Sequence, residues 1–217
     1  QALARRGWQV DVLDAAEAPA SGASALPWGL LHAQISPDDN LLARLTRAGF
    51  LLGWQQLIQT PDDHGVPVWQ QCRVLQQAGD DAEAFAMQRA AVQFGMTPQF
   101  VQWLDGESAA QRAGMALHRG GLWFGSGGVV SSRRWCRAML DGHQARITLR
   151  APARAARLAQ DRDGWRVEDG SGGVLGAAPV LIVAAALASP GLIGLHCAPV
   201  RPVRGRISLV RDGDLAP

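Results

Sequence analysis

Asp14 is the residue whose type and position most directly suggest chemistry in this sequence. It follows Trp8–Leu13, where Val10 and Val12 alternate with polar residues, a pattern that predicts a β-strand. In α/β domains that bind dinucleotides, an acid at the end of the second strand accepts hydrogen bonds from a ribose diol. Asp14 is therefore a candidate ribose ligand, with a turn or helix-capping carboxylate as the alternative. The Gly-rich turn that precedes such an acid by about 20 residues does not occur in this sequence.

Small residues dominate the stretch that follows, from Ala15 to Leu26. They predict a loop in which backbone amides can approach a ligand closely, because few side chains stand in the way. The residues that could serve a phosphate or the edge of a ring are Ser21, Gly22, Ala23 and Ser24. A loop with no ligand explains the same composition.

A second set of candidates lies near the end of the chain, where Arg201, Arg204 and Arg206 interrupt the apolar run Val200–Val210. The alternation predicts a strand. Guanidinium groups are suited to a carboxylate because they can donate two parallel hydrogen bonds, so the three arginines are candidate substrate ligands. A solvated strand edge is the alternative.

Composition excludes several classes of function and leaves others open. The 217 residues carry a formal net charge of +2, which neither argues for nucleic acid nor excludes it. No apolar run reaches the roughly 18 residues of a membrane span. The histidines are isolated, so no metal site is predicted. The cysteines Cys72, Cys136 and Cys197 lie far apart, which predicts reduced thiols in a cytoplasmic protein.

The periodicity of apolar residues predicts an α/β protein. Predicted helices are Asn40–Gln59 with Asn40 as the N-cap, Ala82–Gly95, a further helix from Thr97 through Leu104, and Ser131–Leu140. Predicted strands are Val66–Gln76, Ala145–Arg150, a hairpin turning at Asp161–Gly164, and Pro179–Ala186 buried on both faces of a parallel sheet. Leu117–Val130 is predicted to be a hairpin or a wide turn, and substrate contacts are expected from its part Gly120–Val130. Ala2–Arg6 reads as the end of a helix closed by Gly7, so we expect a fragment.

Several segments in this order resemble the D-amino-acid-oxidase-type family of FAD-dependent oxidoreductases. They are ALARRGWQVDVLDAAEAPASGAS, WGLLHAQIS, RLTRAGF, GGLWFGSGGVV, RDGW, PVLIVAAA and PVRGRISLV, and they extend over essentially the whole chain. Within the family the resemblance is strongest to the bacterial oxidase domains that act on a modified wobble uridine of tRNA. It implies a Rossmann-like FAD-binding domain, in 1–40 and 131–195, interleaved with a mixed-sheet substrate domain in 41–130 and 196–217. The first strand and Gly-rich turn of that fold would be missing from the fragment.

The resemblance also implies roles for individual residues toward FAD. Asp14 would bind the ribose of the adenosine, and Ser21–Ser24 would lie along the ribose and pyrophosphate. Trp28, Gly29 and Leu30 would run beside the flavin ring. Ala155 would contact the adenine through its backbone, and Ala184, Ala185 and Ala186 would close over the pyrophosphate. No residue of this sequence is assigned as a general base.

The implied activity is oxidation of a C–N bond, with removal of the carboxymethyl group from 5-carboxymethylaminomethyl(-2-thio)uridine in tRNA. The implied partners are tRNA and a methyltransferase domain, fused or separate. Two alternatives stay open: an oxidase of a free small amino acid such as glycine or sarcosine, and a non-catalytic remnant of the fold.

Overall fold

A computed structural model of the chain describes residues 1–93, 95–195, 200–208 and 210. Two compact units emerge, one made of Gln1–Ala25 with Met139–Ser208 and the other containing Leu26–Ala138. The units divide the chain at other residues than the predicted domains, since 26–40 and 131–138 belong to the second unit and 200–208 to the first. The assignment of a cofactor role to one domain and a substrate role to the other stays a prediction.

Helices and strands alternate along the chain as in a mixed α/β fold, which confirms the predicted class. The helices are α1 (Leu41–Leu57), α2 (Asp81–Gln93), α3 (Gly106–Ala113), α4 (Ser132–Asp141) and α5 (Ser189–Leu192). The strands are β1 (Val10–Leu13), β2 (Gly29–Leu31), β3 (Trp69–Gln71), β4 (Val74–Gln77), β5 (Gln102–Leu104), β6 (Gly121–Phe124), β7 (Gly128–Val130), β8 (Ile147–Arg150), β9 (Arg157–Asp161), β10 (Gly164–Glu168) and β11 (Val174–Ala178). Short 3-10 helices cover Ala4–Arg6, Ala23–Ala25 and Ala186–Ala188.

The first unit holds a parallel strand pair and a three-stranded meander. β1 pairs in parallel with β8, in the register Val10 to Ile147 through Leu13 to Arg150. β9, β10 and β11 are antiparallel and follow one another in the sheet. The predicted turn between β9 and β10 is present, because Gly164 adopts φ 134° and the Asp163 amide donates to Asp161 Oδ1 over 2.9 Å.

The second unit contains two antiparallel sheets, in the orders β2–β7–β3 and β4–β6–β5. They share two stretches of chain, since β3 continues into β4 and β6 into β7, whereas β2 and β5 each add a third strand from elsewhere. Gln71 pairs with Gly128, whereas Val74 pairs with Phe124, so the intervening segments differ in length by one residue. The Cys72 amide donates to the Gly127 carbonyl across this irregularity. The extra residue is accommodated as a bulge, which ends one sheet and begins the next.

Both faces of the β4–β6–β5 sheet are covered by apolar side chains. On one face Val74, Leu122 and Phe124 pack with Met87 of α2. On the other face Trp123 packs with Leu104 and Ala109, which belongs to α3. Successive side chains of β6 therefore point to opposite faces of the sheet, as the two-residue period of a strand requires. Helix α3 is held at both ends, since the Asp105 carboxylate accepts from the Ser108 amide and Gly114 adopts φ 68°.

Helix α1 begins as predicted, because the Asn40 side chain accepts a hydrogen bond from the Ala43 amide over 3.0 Å. It buries Ala43, Phe50 and Leu57, and Leu57 has no exposed surface. Leu57 packs with Val68 and Val130 in a third cluster. This cluster connects α1 to the β2–β7–β3 sheet.

Two predictions in the middle of the chain are wrong. The single strand predicted for Val66–Gln76 is two strands in different sheets, interrupted at the bulge. The helix predicted from Thr97 through Leu104 is only one turn, in which the Phe100 and Val101 amides donate to the Thr97 carbonyl. After that turn the backbone pairs with β6 as strand β5.

Two predictions near the end of the chain are also wrong. Pro179–Ala186 forms no strand, and Val180 and Ile182 are 55% and 66% exposed. No described strand lies beside this run, so nothing supplies the hydrogen bonds and the cover of a parallel sheet. The strand predicted for Val200–Val210 is irregular backbone in the described residues 200–208 and 210.

Candidate functional site

Asp14 lies directly after β1, at the carboxyl end of the parallel pair, where the sequence places it. Its amide donates to the Arg150 carbonyl over 3.1 Å, which extends the pairing with β8 by one residue. Its Oδ1 accepts a hydrogen bond from the Ala16 amide over 2.9 Å, and the side chain is half-buried. No described residue donates to Oδ2. The carboxylate is thus oriented by one amide and keeps acceptor capacity for a ligand such as a ribose diol.

The turn after β8 brings a second predicted residue close to Asp14. The Ala153 amide donates to the Asp14 carbonyl over 2.6 Å, and Ala153 is buried. Ala155, predicted to contact adenine, follows two residues later and is half-buried. The Ala156 amide is held by the Glu168 carbonyl of β10. Asp14 and the segment containing Ala155 therefore lie at one sheet edge, as ribose and adenine recognition together require.

The small-residue loop contains a 3-10 turn over Ala23–Ala25. Ser21 donates its hydroxyl to the Ala18 carbonyl over 2.5 Å, so the hydroxyl acts inside the loop and remains available to a ligand only as an acceptor. The Gly22 carbonyl accepts from the Ala25 amide, and no atom lies within 4 Å of the position that a Cβ would occupy at Gly22. Gly22 and Ala23 are exposed and Ser24 is half-buried. The loop leaves room for a ligand at Gly22.

The alanines predicted to close over the pyrophosphate stand in an exposed segment of the first unit. Ala184, Ala185 and Ala186 are all exposed, and Ala186 adopts φ 47° at the start of a 3-10 turn. The strand that was expected to carry them is absent from the described residues. Their role toward FAD stays a prediction.

Trp28, Gly29 and Leu30 belong to the second unit, where Gly29 and Leu30 open strand β2. Gly29 pairs with Val130, and a Cβ at this position would lie 3.8 Å from both the Ser132 hydroxyl and the Val130 carbonyl. Leu30 is 66% exposed and Trp28 is half-buried. An exposed apolar strand face with a neighbouring indole is suited to a flat, apolar ring.

Arg201, Arg204 and Arg206 lie on exposed, irregular backbone that the contacts of the chain assign to the first unit. They make no ion pair with any described residue. Arg201 and Arg204 are three residues apart, so even a strand would direct them to opposite faces, and the irregular backbone defines no common face. Their role as substrate ligands stays a prediction that rests on side-chain chemistry alone.

An open cleft of about 440 Å³ lies on the second unit, and the sequence interpretation missed the two arginines that line it. Its lining includes Arg73, Arg112 and Trp123, and the Arg112 guanidinium carbon lies 5.5 Å from the centre of the Trp123 ring. Arg73 precedes β4 and Arg112 lies on α3, so the two cations are far apart in sequence. No local motif connects them. The glycines around Trp123 are the one signal that could have pointed to this place.

Burial disfavours the thiolate form of both described cysteines. Burial raises the pKa of the Cys72 thiol, and burial likewise raises the pKa of the Cys136 thiol, because a thiolate is poorly solvated there. Both are unpaired thiols. Cys197 lies outside the described residues.

In the part of the chain that the structure describes, no three His, Cys, Asp or Glu side chains cluster closely enough to hold a metal ion. None of its helices is both long and apolar enough to cross a bilayer.

The family model described as FAD dependent oxidoreductase (DAO) matches residues 1–217. The chain therefore belongs to this family of FAD-dependent oxidoreductases, which confirms the resemblance seen in the sequence. Oxidation with FAD as the cofactor is the chemistry of the family. The acceptor at the carboxyl end of β1, the adjacent turn and the open loop at Gly22 fit the adenosine part of this cofactor.

Two relatives carry the name "tRNA 5-methylaminomethyl-2-thiouridine biosynthesis bifunctional protein MnmC". The one from Cupriavidus metallidurans is 38% identical over 219 residues, which cover 99% of this chain and 31% of the relative. The one from Ralstonia nicotianae is 37% identical, with 95% of this chain and 31% of the relative covered. The chain thus spans about a third of the length of these curated relatives.

The crystal structure of glycine oxidase from Geobacillus kaustophilus has the same fold over most of the chain. The match has a TM-score of 0.67 and 22% sequence identity, and it covers 88% of this chain and 52% of glycine oxidase. At this identity the likeness shows the fold alone. It confirms the predicted mixed α/β fold.

Proposed function

We propose that the intact protein oxidises a C–N bond in tRNA, and that it removes the carboxymethyl group of 5-carboxymethylaminomethyl(-2-thio)uridine at the wobble position. The observation that carries this proposal is the 38% identity to a MnmC protein over nearly the whole chain. Membership of the FAD-dependent oxidoreductase family supplies the reaction type. The protein would act in the cytoplasm, where its RNA substrate is found.

Bound FAD would supply the hydride acceptor needed to oxidise the carbon next to the amine nitrogen. Water then adds to the resulting C=N bond, and the C–N bond breaks to give glyoxylate and the aminomethyl uridine. The residues of this chain bind the cofactor and orient it. Asp14 holds the ribose through its carboxylate, and the segment containing Ala155 lies beside it. Trp28 and Leu30 offer apolar surface to the flavin ring, and the amides near Gly22 lie along the ribose and pyrophosphate.

The relatives are named bifunctional, and this chain corresponds to about a third of their length. We therefore propose that the intact protein also contains or binds a methyltransferase, which would consume the aminomethyl uridine that the oxidation yields. The order of the two reactions follows from the chemistry, because the amine must be freed of its carboxymethyl group before it can be methylated.

The proposal is tested with the intact protein, purified with its flavin, and two substrates. One is tRNA carrying 5-carboxymethylaminomethyl uridine, and the other is free glycine. We expect glyoxylate and aminomethyl uridine from the tRNA, measured by mass spectrometry of the digested nucleosides, and little turnover of glycine. Efficient oxidation of glycine, with no change in the modified nucleoside of the tRNA, would indicate a free amino acid oxidase instead. A protein that neither retains nor takes up FAD would indicate a non-catalytic member of the family.

A further inference from the structure

The cleft that contains Arg73, Arg112 and Trp123 lies wholly within the second unit. Its floor is the face of the β4–β6–β5 sheet that α3 partly covers. Leu75, Trp123 and Gln102 are register partners on three adjacent strands, so their side chains share this face. Leu75 and Trp123 join the apolar cluster under α3, and Trp123 and Gln102 line the cleft. The cleft therefore begins where the cover of α3 ends.

Arg112 is held above the floor by an aromatic side chain. Its guanidinium carbon lies 5.5 Å from the centre of the Trp123 ring, within the range of a cation–π contact. Trp123 is only 9% exposed, so its position is fixed by the sheet and the apolar cluster. The Arg112 side chain remains exposed. A stacked guanidinium keeps its N–H groups free at the edge of its plane and can donate them to a ligand.

The opposite wall is fixed by close backbone packing. A Cβ at Gly125 would lie 2.4 Å from the Gln99 carbonyl oxygen, so only glycine allows the two segments to approach this closely. The Ser126 hydroxyl donates to the same carbonyl over 3.0 Å. These two contacts hold Pro98 and Gln99 over the sheet. The wall exists before any ligand binds, which lowers the entropic cost of binding.

The lining is basic and rich in hydrogen-bond donors. Arg73 and Arg112 supply the charge, and the side chains of Gln71, Gln99 and Gln102 supply amides. Among the described residues, no acidic side chain lines the cleft and neither arginine forms an ion pair. Two uncompensated cations beside several amides favour a ligand with more than one anionic oxygen.

We propose that this cleft binds the phosphodiester backbone of the RNA substrate, an inference that rests on the proposed function. The volume of about 440 Å³ is larger than a single phosphate needs and falls in the range of sites for nucleotide-sized ligands. The cleft is open to solvent, so an extended strand can reach its lining. Arg73 and Arg112 bind neighbouring phosphates, and the glutamines bind phosphate or ribose oxygens.

The test uses the intact protein and the tRNA substrate, with binding measured at several salt concentrations. The double variant Arg73→Gln and Arg112→Gln removes both charges. We expect the Kd to rise at least about tenfold, the effect of losing one charged hydrogen bond. The slope of log Kd against log salt should fall by about 1 for each arginine. Flavin content should stay as in the wild type, which shows that the variant is folded.

A matched control is the double variant Arg44→Gln and Arg89→Gln. These arginines are exposed on α1 and α2 of the same unit, outside the cleft, and they make no ion pair with described residues. It removes the same charge, so an equal loss of tRNA affinity in both double variants would contradict the inference. The variant Arg73→Lys and Arg112→Lys keeps the charge and should keep most of the salt slope. If it lost as much slope as the glutamine variant, a folding defect would explain the result and the inference would be wrong.

The outcomes separate this inference from the proposed function. If the wild type demodifies tRNA and the glutamine variant at Arg73 and Arg112 binds it equally well, the function stands and the cleft is not the RNA site. If the wild type ignores tRNA and oxidises a free amino acid, the proposed function fails and the inference fails with it.

Discussion

Replacement of Asp14 by asparagine and by alanine separates its role in folding from its role toward FAD. Both the carboxylate and the asparagine amide oxygen can accept from the Ala16 amide, which lies 2.9 Å from Oδ1. Asn should therefore preserve this hydrogen bond, whereas Ala should lose it at a cost of about 0.5–1.5 kcal/mol in stability. The negative charge that strengthens hydrogen bonds from a ribose diol is absent from both variants.

The expected effect on FAD follows from the same values. A hydrogen bond to a charged group contributes about 1.5–3 kcal/mol, so Asp14→Ala should raise the Kd for FAD about 10- to 150-fold. Asp14→Asn should fall between the wild type and Ala. The assay is titration of the deflavinated intact protein with FAD, in which quenching of flavin fluorescence reports binding. Thermal unfolding without FAD measures the stability of each variant.

Asp11→Asn is the matched control for this experiment. Asp11 precedes Asp14 on β1, and its carboxylate forms an exposed ion pair with Arg150 over 3.0 Å. Exposed pairs contribute about 0–1 kcal/mol, so the FAD affinity should not change. The reasoning is refuted if Asp14→Ala binds FAD as tightly as the wild type, or if Asp11→Asn weakens FAD equally.

Two further predictions concern the stability of the fold. Asn40→Ala removes the cap that accepts from the Ala43 amide and should cost about 1 kcal/mol, seen as faster hydrogen exchange in the first turn of α1; unchanged exchange there would contradict it. The Asp169 carboxylate accepts from the Ser171 hydroxyl and from the Ser171 and Gly173 amides, which lowers its pKa. Its contribution to stability is therefore present above the ordinary Asp pKa of about 4 and is lost as the pH falls through the lowered value. Urea unfolding of Asp169→Asn should show a smaller loss of stability in acid than the wild type, and an equal loss would contradict the prediction.

Local signals in the sequence were sufficient wherever the structure is set by neighbouring residues. Asn40 was recognised as a cap because its side chain bonds to the backbone three residues on. The turn between β9 and β10 is predicted from Asp161 and Gly164. The Asp161 side chain accepts from the backbone two residues on, and Gly164 adopts a positive φ, as tight turns require. Asp14 was placed at the end of β1 by simple alternation. Each of these features needs only a few consecutive residues.

The errors fall where distant residues decide the conformation. Thr97 and Pro98 do begin a helical turn, but pairing of Gln102–Leu104 with β6 ends it. The break in the predicted strand Val66–Gln76 depends on the length of the facing segment near Gly127. The apolar run Pro179–Ala186 becomes a buried strand only if other strands lie beside it, and a sequence window contains no information about them.

The candidate site likewise has a part that local sequence predicts and a part that only distant contacts create. Asp14 was identified from its own segment, but its contact with Ala153 depends on the parallel pairing of β1 with β8. The two arginines of the basic cleft share no sequence motif, because Arg73 and Arg112 approach it from different elements. Such a group of residues is assembled by the fold rather than by spacing in the chain.

The most direct test of the central claim is incubation of the intact, flavin-loaded protein with tRNA that carries 5-carboxymethylaminomethyl uridine. The quantity measured is the conversion of that nucleoside to aminomethyl uridine, together with the glyoxylate released. We expect equal amounts of the two products, and loss of both when FAD is removed. An unchanged nucleoside in the presence of bound FAD would contradict it.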